Sequence, residues 1–459
     1  AALESLSSVI TSGARCGVYV ILHLDQNLKL PEKFDSSLLE NHSSIFQVQD
    51  NTVFAIGPDR SSIELTSEPL PQPHQITTLM KEIGQSAIDA SRVEVPFSAV
   101  KPSEIWSQTC DDELVIPLGR SGAKNLLSIR LGRGTSQHAL IAGRTGSGKS
   151  TLLHVLISNA ALWYSPEELQ LFLVDFKKGV EFKTYASLDL PHANAVAVES
   201  DREFGLSLLQ RIDEELSQRG DTFRKLGVQN LPGYRSLTDQ PAMPRILLII
   251  DEFQELFVED DRLAQEASLL LDRIVRQGRA FGVHAIMGSQ TLGGAYALAK
   301  STMSQMQIRI ALQCSESDSY LILGEDNGAA RLLGRPGEAI YNDAGGAISA
   351  NTPFQIVWLG DEERDAELSQ LQRHAKGAFT RDEPMVVFEG SAPVHIENST
   401  AINEASPLAG PHIWLGEPVA IRGPVGLPIK RQGGANLLIV GQQPETALGL
   451  ISAAVESLA

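Results

Sequence analysis

Eight consecutive residues, Gly143, Arg144, Thr145, Gly146, Ser147, Gly148, Lys149 and Ser150, set three glycines, a lysine and a hydroxyl in the G-x-x-x-x-G-K-[ST] spacing. They follow a short apolar run, HALIA, and lead into a helical pattern, STLLHVLISNAAL. Glycines at these positions let backbone N–H groups curl around a phosphate, and the following helix points the positive end of its dipole at the same anion. In this arrangement Lys149 reaches the β- and γ-phosphates of ATP and the Ser150 hydroxyl ligates Mg2+. The nucleotide-binding set runs from Gly143 through Thr151.

About a hundred residues further on, PRILLIIDEFQELF is a continuous apolar run ending in two acids, the pattern of a strand buried in a parallel sheet with its carboxyl end at the ligand. Asp251 is expected to hold Mg2+ through water, and Glu252 to polarise the attacking water. A third run, AFGVHAIMGSQTL, ends in Gln290, placed to sense the γ-phosphate. A fourth, LQLFLVD, ends in Asp175 with Lys177, Lys178 and Glu181 close behind. The lysine, hydroxyl and acid pair are expected to converge at the carboxyl ends of adjacent strands. Alternating strands and helices predict an α/β fold with a doubly wound, mostly parallel sheet.

These elements resemble the motor domain of the FtsK/SpoIIIE group within the HerA–FtsK superfamily of RecA-like P-loop ATPases. The resemblance runs from about residue 137 to 343 and goes beyond the phosphate loop. VDFKKGVEF is similar to the family's D-x-K-x-x-E segment, LPHANAVAVESDRE to its I-P-H-L turn, and DEELSQRGDTFRKLGVQNLPGYR to its E-M-E-R-R-Y…L-G-V-R-N-L segment. GRAFGVHAIMGSQ and ARLLGRPGEAIYND are similar to A-R-A-x-G-I-H-L-x-x-A-T-Q and E-S-L-L-G-x-G-D-M-L-Y. The resemblance implies a ring, usually of six subunits, that hydrolyses ATP at subunit interfaces and moves a polymer through its centre. It also implies an arginine acting on a neighbour's nucleotide. Arg219 matches the second arginine of E-M-E-R-R, with Arg276, Arg279 and Arg309 as rivals.

Internal parallels set the domain organisation. The segment from Val115 to Leu162 parallels the one from His412 to Ala459, with Gly441 set against Gly143. There Thr446, Ala447 and Leu448 stand where Gly148, Lys149 and Ser150 do, so both the charge and the metal hydroxyl are gone. SSVITSGARCGVYVILHLDQ near the start parallels DRIVRQGRAFGVHAIMGSQ, with Asp25 or Gln26 near the place of Gln290. HQITTLMKEIGQSAI parallels DEERDAELSQLQRHA, and VEVPFSAVKP parallels VVFEGSAPVH. The chain is therefore read as a complete ATPase domain, 91–383, between the end of a preceding degenerate RecA-like domain, 1–90, and the start of a following one, 384–459. Residues 390–411, rich in Ser, Pro, Gly and Asn, form the linker, and the third site is expected not to hydrolyse ATP.

Composition narrows the function. The chain of 459 residues is 42% apolar, enough for more than one globular domain, and its net charge of −18 argues against general adhesion to nucleic acid. Cys16, Cys110 and Cys314 lie far apart, as reduced thiols in a cytoplasmic protein do. No apolar run approaches the roughly 20 residues of a membrane span, so membrane association is expected only through segments outside this sequence. Three readings follow. The first is a DNA translocase acting on double-stranded DNA, with Lys177, Lys178, Lys183 and Lys300 tracking phosphates. The second, like the EccC branch, is an ATPase that moves or remodels a protein substrate. The third is an ATP-controlled scaffold in phage defence or chromosome upkeep. The segment DFKKGVEF favours the first; the acidic balance, the repeats and the continuation NTPFQIVWLGDEERDAELSQLQRHAKG, where DNA pumps carry a winged-helix module, favour the second.

Overall fold

A computed structural model describes residues 6, 10, 20–25, 28, 39, 41–49, 52–56, 61–66, 72–91, 94–122, 125–177, 181–198, 201–291, 300–381, 384–389, 412–416, 425–429 and 436–458. Lys178, Gln26, Cys16 and the linker 390–411 lie outside these. The chain divides into two units, Ala1–Ser91 and Arg92–Ala459.

In the first unit, β1 (Ile45–Gln49), β2 (Thr52–Ile56) and β3 (Ser62–Leu65) form an antiparallel sheet in that order, and α1 (Pro73–Ser91) follows.

The second unit is built on a 12-stranded sheet. Its strands are β4 (Val95–Pro96), β5 (Leu114–Ser121), β6 (Asn125–Leu131), β7 (Ala139–Ala142), β8 (Leu169–Asp175), β9 (Ala193–Val198), β10 (Arg245–Asp251), β11 (Val283–Ser289), β12 (Ile308–Leu312), β13 (Glu338–Asn342), β14 (Thr352–Trp358) and β15 (Val386–Glu389). The order is β15-β9-β8-β10-β11-β7-β12-β13-β14-β5-β6, with β4 beside β14. The strands from β15 to β12 run parallel, and the path from β12 to β6 is antiparallel. Strands β7, β10 and β11 are buried at every residue, which is why they read as unbroken apolar runs rather than alternating ones.

Helices cover both faces. On one side lie α2 (Lys149–Trp163), α3 (Lys183–Ser187) and, further along the chain, a helix at Asp361–Ala375; on the other lie α4 (Arg202–Leu226) and α6 (Arg262–Phe281). The short α5 (Leu231–Arg235) precedes β10, α7 (Lys300–Gln305) and α8 (Glu316–Leu323) flank β12, and the helix after β14 is α9 (Asp361–Ala375). Helix α2 is buried almost all round, as expected for an apolar helix pressed into a core. In α6, Ala264, Ala267, Leu271, Ile274, Val275 and Gly278 form the buried stripe of an amphipathic helix, capped by the Asp261 carboxylate accepting from the Ala264 amide at 2.9 Å. The strand and helix expected in NTPFQIVWLGDEERDAELSQLQRHAKG are β14 and α9, and β14 belongs to the central sheet.

Strand β15 lies beyond residue 383, yet it extends the central sheet by pairing with β9, and Phe388 stacks on Phe204 with ring centroids 4.5 Å apart. VEVPFSAVKP and VVFEGSAPVH look alike in sequence, but they supply strands on opposite sides of the sheet, β4 beside β14 and β15 beside β9. After it, β16 (His412–Gly416) and β17 (Val425–Pro428) form a hairpin, and α10 (Pro444–Glu456) packs on β16, where the Trp414 amide donates to Ser457 Oγ at 3.1 Å. Residues 437–440, the apolar run LLIV that leads into Gly441, form no strand, and Leu438 and Val440 are exposed. An apolar run of this kind becomes a strand only with a neighbour to pair with. No helix among the described residues is long and apolar enough to cross a membrane.

Candidate functional site

The phosphate loop leaves the end of β7 and enters α2. Its backbone is tied down on both sides, the Gly143 amide to Ser289 O at 3.2 Å and the Arg144 amide to Gln313 O at 3.0 Å. A third tie comes from the Gly337 amide, which donates to Ser147 O at 2.8 Å. Gly148 caps α2 at φ 101°, in the left-handed region, and a Cβ there would come within 3.1 Å of Gly337 N. Only glycine meets both demands.

Lys149, buried in the first turn of α2, places Nζ on Asp251 Oδ1 and at 2.9 Å from Glu252 Oε1. The expected convergence of lysine and acids is present, with one correction. The loop strand β7 and the acid strand β10 are not adjacent, because β11 lies between them. The intervening strand delivers Gln290, whose amide donates to Glu252 Oε2 at 3.0 Å and whose side-chain Oε1 accepts from Thr145 Oγ1 at 3.0 Å. Room for the Asp251 side chain comes from Gly288 on the same strand, where a Cβ would lie 2.5 Å from Asp251 Oδ1.

Glu252 adopts φ 50°, ψ 45°, a left-handed conformation that costs a non-glycine residue on the order of 1–3 kcal/mol. Four contacts hold it there: Lys149, Gln290, Gln254 Nε2 donating to Oε2 at 2.8 Å, and its own amide donating to Asp251 Oδ1 at 3.0 Å. Burial opposes ionisation of Glu252, but the Lys149 charge and the hydrogen bonds outweigh it, and its pKa falls below the usual carboxylate range. Asp251 goes the other way. Burial is its largest influence and raises its pKa despite the same lysine.

Asp175 pairs in register with Asp251 across β8 and β10 and is 1% exposed. Its Oδ1 accepts from the Lys177 amide at 2.9 Å, while Oδ2 is buried without a partner. Burial pushes its pKa up to about 7, and the nearby Asp251 and Glu181 charges add to the rise. A carboxyl whose folded pKa is raised contributes stability below its unfolded pKa and loses it as pH rises through the folded value. The melting temperature should therefore fall between about pH 6 and pH 8, and Asp175→Asn should flatten that fall. Circular dichroism melts of both proteins at the two pH values check this.

Ser150 Oγ donates to Glu181 Oε1 at 2.9 Å, and Thr151 stands next to it, partly buried, in the first turn of α2. Glu181 Oε2 lies 3.2 Å from His154 Nε2, and His154 Nδ1 lies 2.8 Å from the Tyr185 hydroxyl. A neutral ring protonated at Nε2 satisfies both contacts, donating to Glu181 and accepting from Tyr185. The His154 hydrogen bond lowers the Glu181 pKa, with burial pulling against it. Neither His154 nor Tyr185 was singled out in the sequence, although His154 follows Ser150 by four residues on one helix face. Gln254 and the loop at Gly337 carried no such local signal.

The residues present fit a nucleotide with Mg2+. A hydroxyl, three carboxylates and a cradle of loop amides are the donors a hard cation and its phosphates require, and the buried Ser147 Oγ and Asp175 Oδ2 still lack partners. Among the described residues no three acids or histidines close on a point tightly enough to hold a metal by themselves.

Arg219, expected to act on a neighbour's nucleotide, is turned inward in this chain. It is 2% exposed, with Nε on Glu215 Oε1 at 2.8 Å and Nη1 on Phe281 O at 2.7 Å, so it ties α4 to the end of α6. Arg309 is likewise turned inward, Nη1 donating to Ile322 O at 2.8 Å, whereas Arg276 and Arg279 are exposed on α6. Arg144 is exposed beside the loop and donates to Gln313 Oε1 at 2.8 Å. Lys177 and Lys183 are exposed near the end of β8.

Residues 103–293 match the profile of the FtsK/SpoIIIE family. A protein named DNA translocase FtsK from Streptococcus pyogenes serotype M3 is 31% identical over 307 residues, 62% of this chain and 36% of that protein. Its namesake from Staphylococcus aureus strain Mu50 is 30% identical over 326 residues, 68% of this chain and 39% of its own length. The chain thus spans less than half of these relatives. Among solved structures, the cytoplasmic domain of the type VII secretion ATPase EccC from Thermomonospora curvata superposes with a TM-score of 0.57 at 23% identity, covering 74% of this chain and 42% of that one. ATPases 2 and 3 of EssC from Geobacillus thermodenitrificans superpose with a TM-score of 0.55 at 19% identity, covering 78% and 67%. At these identities the two structures bear on fold alone, and the fold is that of a P-loop ATPase. Profile and relatives liken the domain carrying this site to the FtsK/SpoIIIE family, and the phosphate-loop geometry agrees with that likeness.

Proposed function

We propose that this domain hydrolyses ATP with Mg2+ and uses the energy to move double-stranded DNA as part of a ring of such domains. The observation that carries the reading is the meeting of Lys149, Asp251, Glu252 and Gln290 at the carboxyl ends of β10 and β11 beside the phosphate loop. DNA enters the proposal through the relatives named DNA translocase FtsK. On ATP binding Lys149 exchanges its carboxylate partners for the β- and γ-phosphates. Glu252 takes the proton of the water whose oxygen attacks the γ-phosphorus, the bond to the ADP oxygen breaks, and Gln290 keeps Glu252 aimed at that water. Ser150 and Asp251 would hold Mg2+, which when bound would supply charge neutralisation at the phosphate oxygens.

An arginine lent to a neighbouring subunit must be exposed, which supports Arg276 or Arg279 over Arg219 and Arg309. The tandem reading has support of its own. In the first unit, three antiparallel strands followed by α1 repeat the order β12, β13, β14 and α9. The hairpin β16–β17 followed by α10 repeats β5–β6 followed, after β7, by α2, with Ala447 where Lys149 would be. Without that charge we expect the third copy to be a scaffold that does not turn over ATP. Exposed Leu448, Ile451 and Val455 on α10 favour the second reading, a protein-moving ATPase.

ATPase rates with added duplex DNA at low salt separate the two. We expect DNA to raise the rate several-fold in a length-dependent way, and salt to remove the effect. A rate indifferent to DNA of every length drops the DNA substrate and leaves hydrolysis standing.

A further inference from the structure

The Ser150 hydroxyl, the group that would ligate Mg2+, gives its hydrogen to Glu181, a carboxylate outside the phosphate loop. We propose that Glu181 is a positioning residue for the divalent cation: through Ser150 it sets how tightly the site takes Mg2+, without contributing to the grip on the nucleotide itself. The proposal rests on the nucleotide reading above.

A hydroxyl has one donor hydrogen and two acceptor lone pairs. With the hydrogen committed to Glu181 Oε1 at 2.9 Å, the lone pairs face away from the carboxylate, which is the orientation a cation needs. Outer partners of this kind commonly change metal affinity 10- to 100-fold when removed. Glu181 is only half-buried, and an acid so placed would ordinarily sample several rotamers. Here its second oxygen is pinned by His154 Nε2 at 3.2 Å, and the ring is pinned in turn by the Tyr185 hydroxyl at 2.8 Å. Tyr185 is fully buried, and His154 projects from α2 one turn beyond Ser150, so the helix that presents the hydroxyl also presents the group that steadies its partner. Arg364 of α9 lies on the far side of His154 and is itself held by Asp361 and Asp365.

A second observation points to a ligand in the same place. Asp175 Oδ2 is buried, lacks a partner, and belongs to a residue in register with Asp251. It is an acceptor waiting for a donor such as a cation's water. Glu181, Asp175 and Asp251 therefore surround the Ser150 and Lys149 end of the loop with three carboxylates. Carboxylates so placed would hold Mg2+ partly through its waters, as this cation is usually held.

The test uses the whole chain and fluorescence anisotropy of a mant-labelled ATP analogue, titrated once in EDTA and once against Mg2+. In Glu181→Gln we expect the affinity in EDTA to match the wild type within about two-fold, and the Mg2+ concentration for half-maximal tightening to rise about 10- to 100-fold. His154→Gln, which leaves the carboxylate charge in place, should move the Mg2+ midpoint in the same direction by less. An unchanged midpoint in both variants overturns the proposal, as does an equal loss of binding in EDTA and Mg2+, which would make Glu181 a part of the fold or of the nucleotide grip. A wild-type chain that binds no nucleotide under either condition overturns the nucleotide reading, and this proposal with it.

Discussion

Glu252→Gln should leave ATP binding intact and lower turnover by about 10²- to 10⁴-fold, the usual contribution of a general base. Glutamine has nearly the shape of glutamate, and it can accept from the Gln290 amide and from Gln254 as Glu252 does at 3.0 and 2.8 Å. What it lacks is a basic oxygen for the proton of the attacking water. Lys149 would lose one of its two anionic partners but keep Asp251, so the phosphate loop should stay in place. Single-turnover hydrolysis and equilibrium ATP binding on the same preparation check the split. Turnover within a few-fold of wild type would show that the base is another group, and the buried Asp175, with its pKa near 7, would be the next to test.

Lys149→Ala should cost binding as well as catalysis. Removing one partner of a buried, hydrogen-bonded charge pair costs about 2–5 kcal/mol, roughly 30- to 5000-fold in affinity. Before nucleotide arrives, the same lysine is the counter-charge of Asp251 and Glu252, so the variant leaves two buried carboxylates facing each other. Burial already raises the Asp251 pKa, and without the lysine it rises further. A carboxyl raised in the folded state stabilises below its unfolded pKa and gives that up as pH increases, so the variant's loss of stability should grow toward alkaline pH. Calorimetric ATP binding and melts across the pH range measure the two effects. ATP binding that stays near-stoichiometric at one site per chain would place a working pocket elsewhere, with the segment around Gly441 the first suspect.

Much of the site was legible in the sequence because its chemistry is local. The spacing from Gly143 to Ser150 encodes a turn that only glycines can make, and β10 announces its acids by ending an apolar run. Arg219 shows where such reading stops. The motif that suggested it as an interface arginine says nothing of the helix face it occupies, and that face packs against Phe281 at the end of α6. The run at 437–440 shows the same limit from the other side, since an apolar pattern becomes a strand only where another strand is there to pair with it.

From the sequence alone came a phosphate loop with its lysine and metal hydroxyl, a pair of acids and a glutamine, grouped at the ends of three buried strands. Residue type and spacing suffice for that, because backbone turns and strand burial follow from a few neighbouring residues. Tertiary structure alone inserted β11 between the loop and the acids, turned Arg219 inward, bent Glu252 into a left-handed conformation and set Glu181 on Ser150. Those outcomes depend on strand order and on which helix faces meet, and pairings between residues far apart in the chain leave no local periodicity to read.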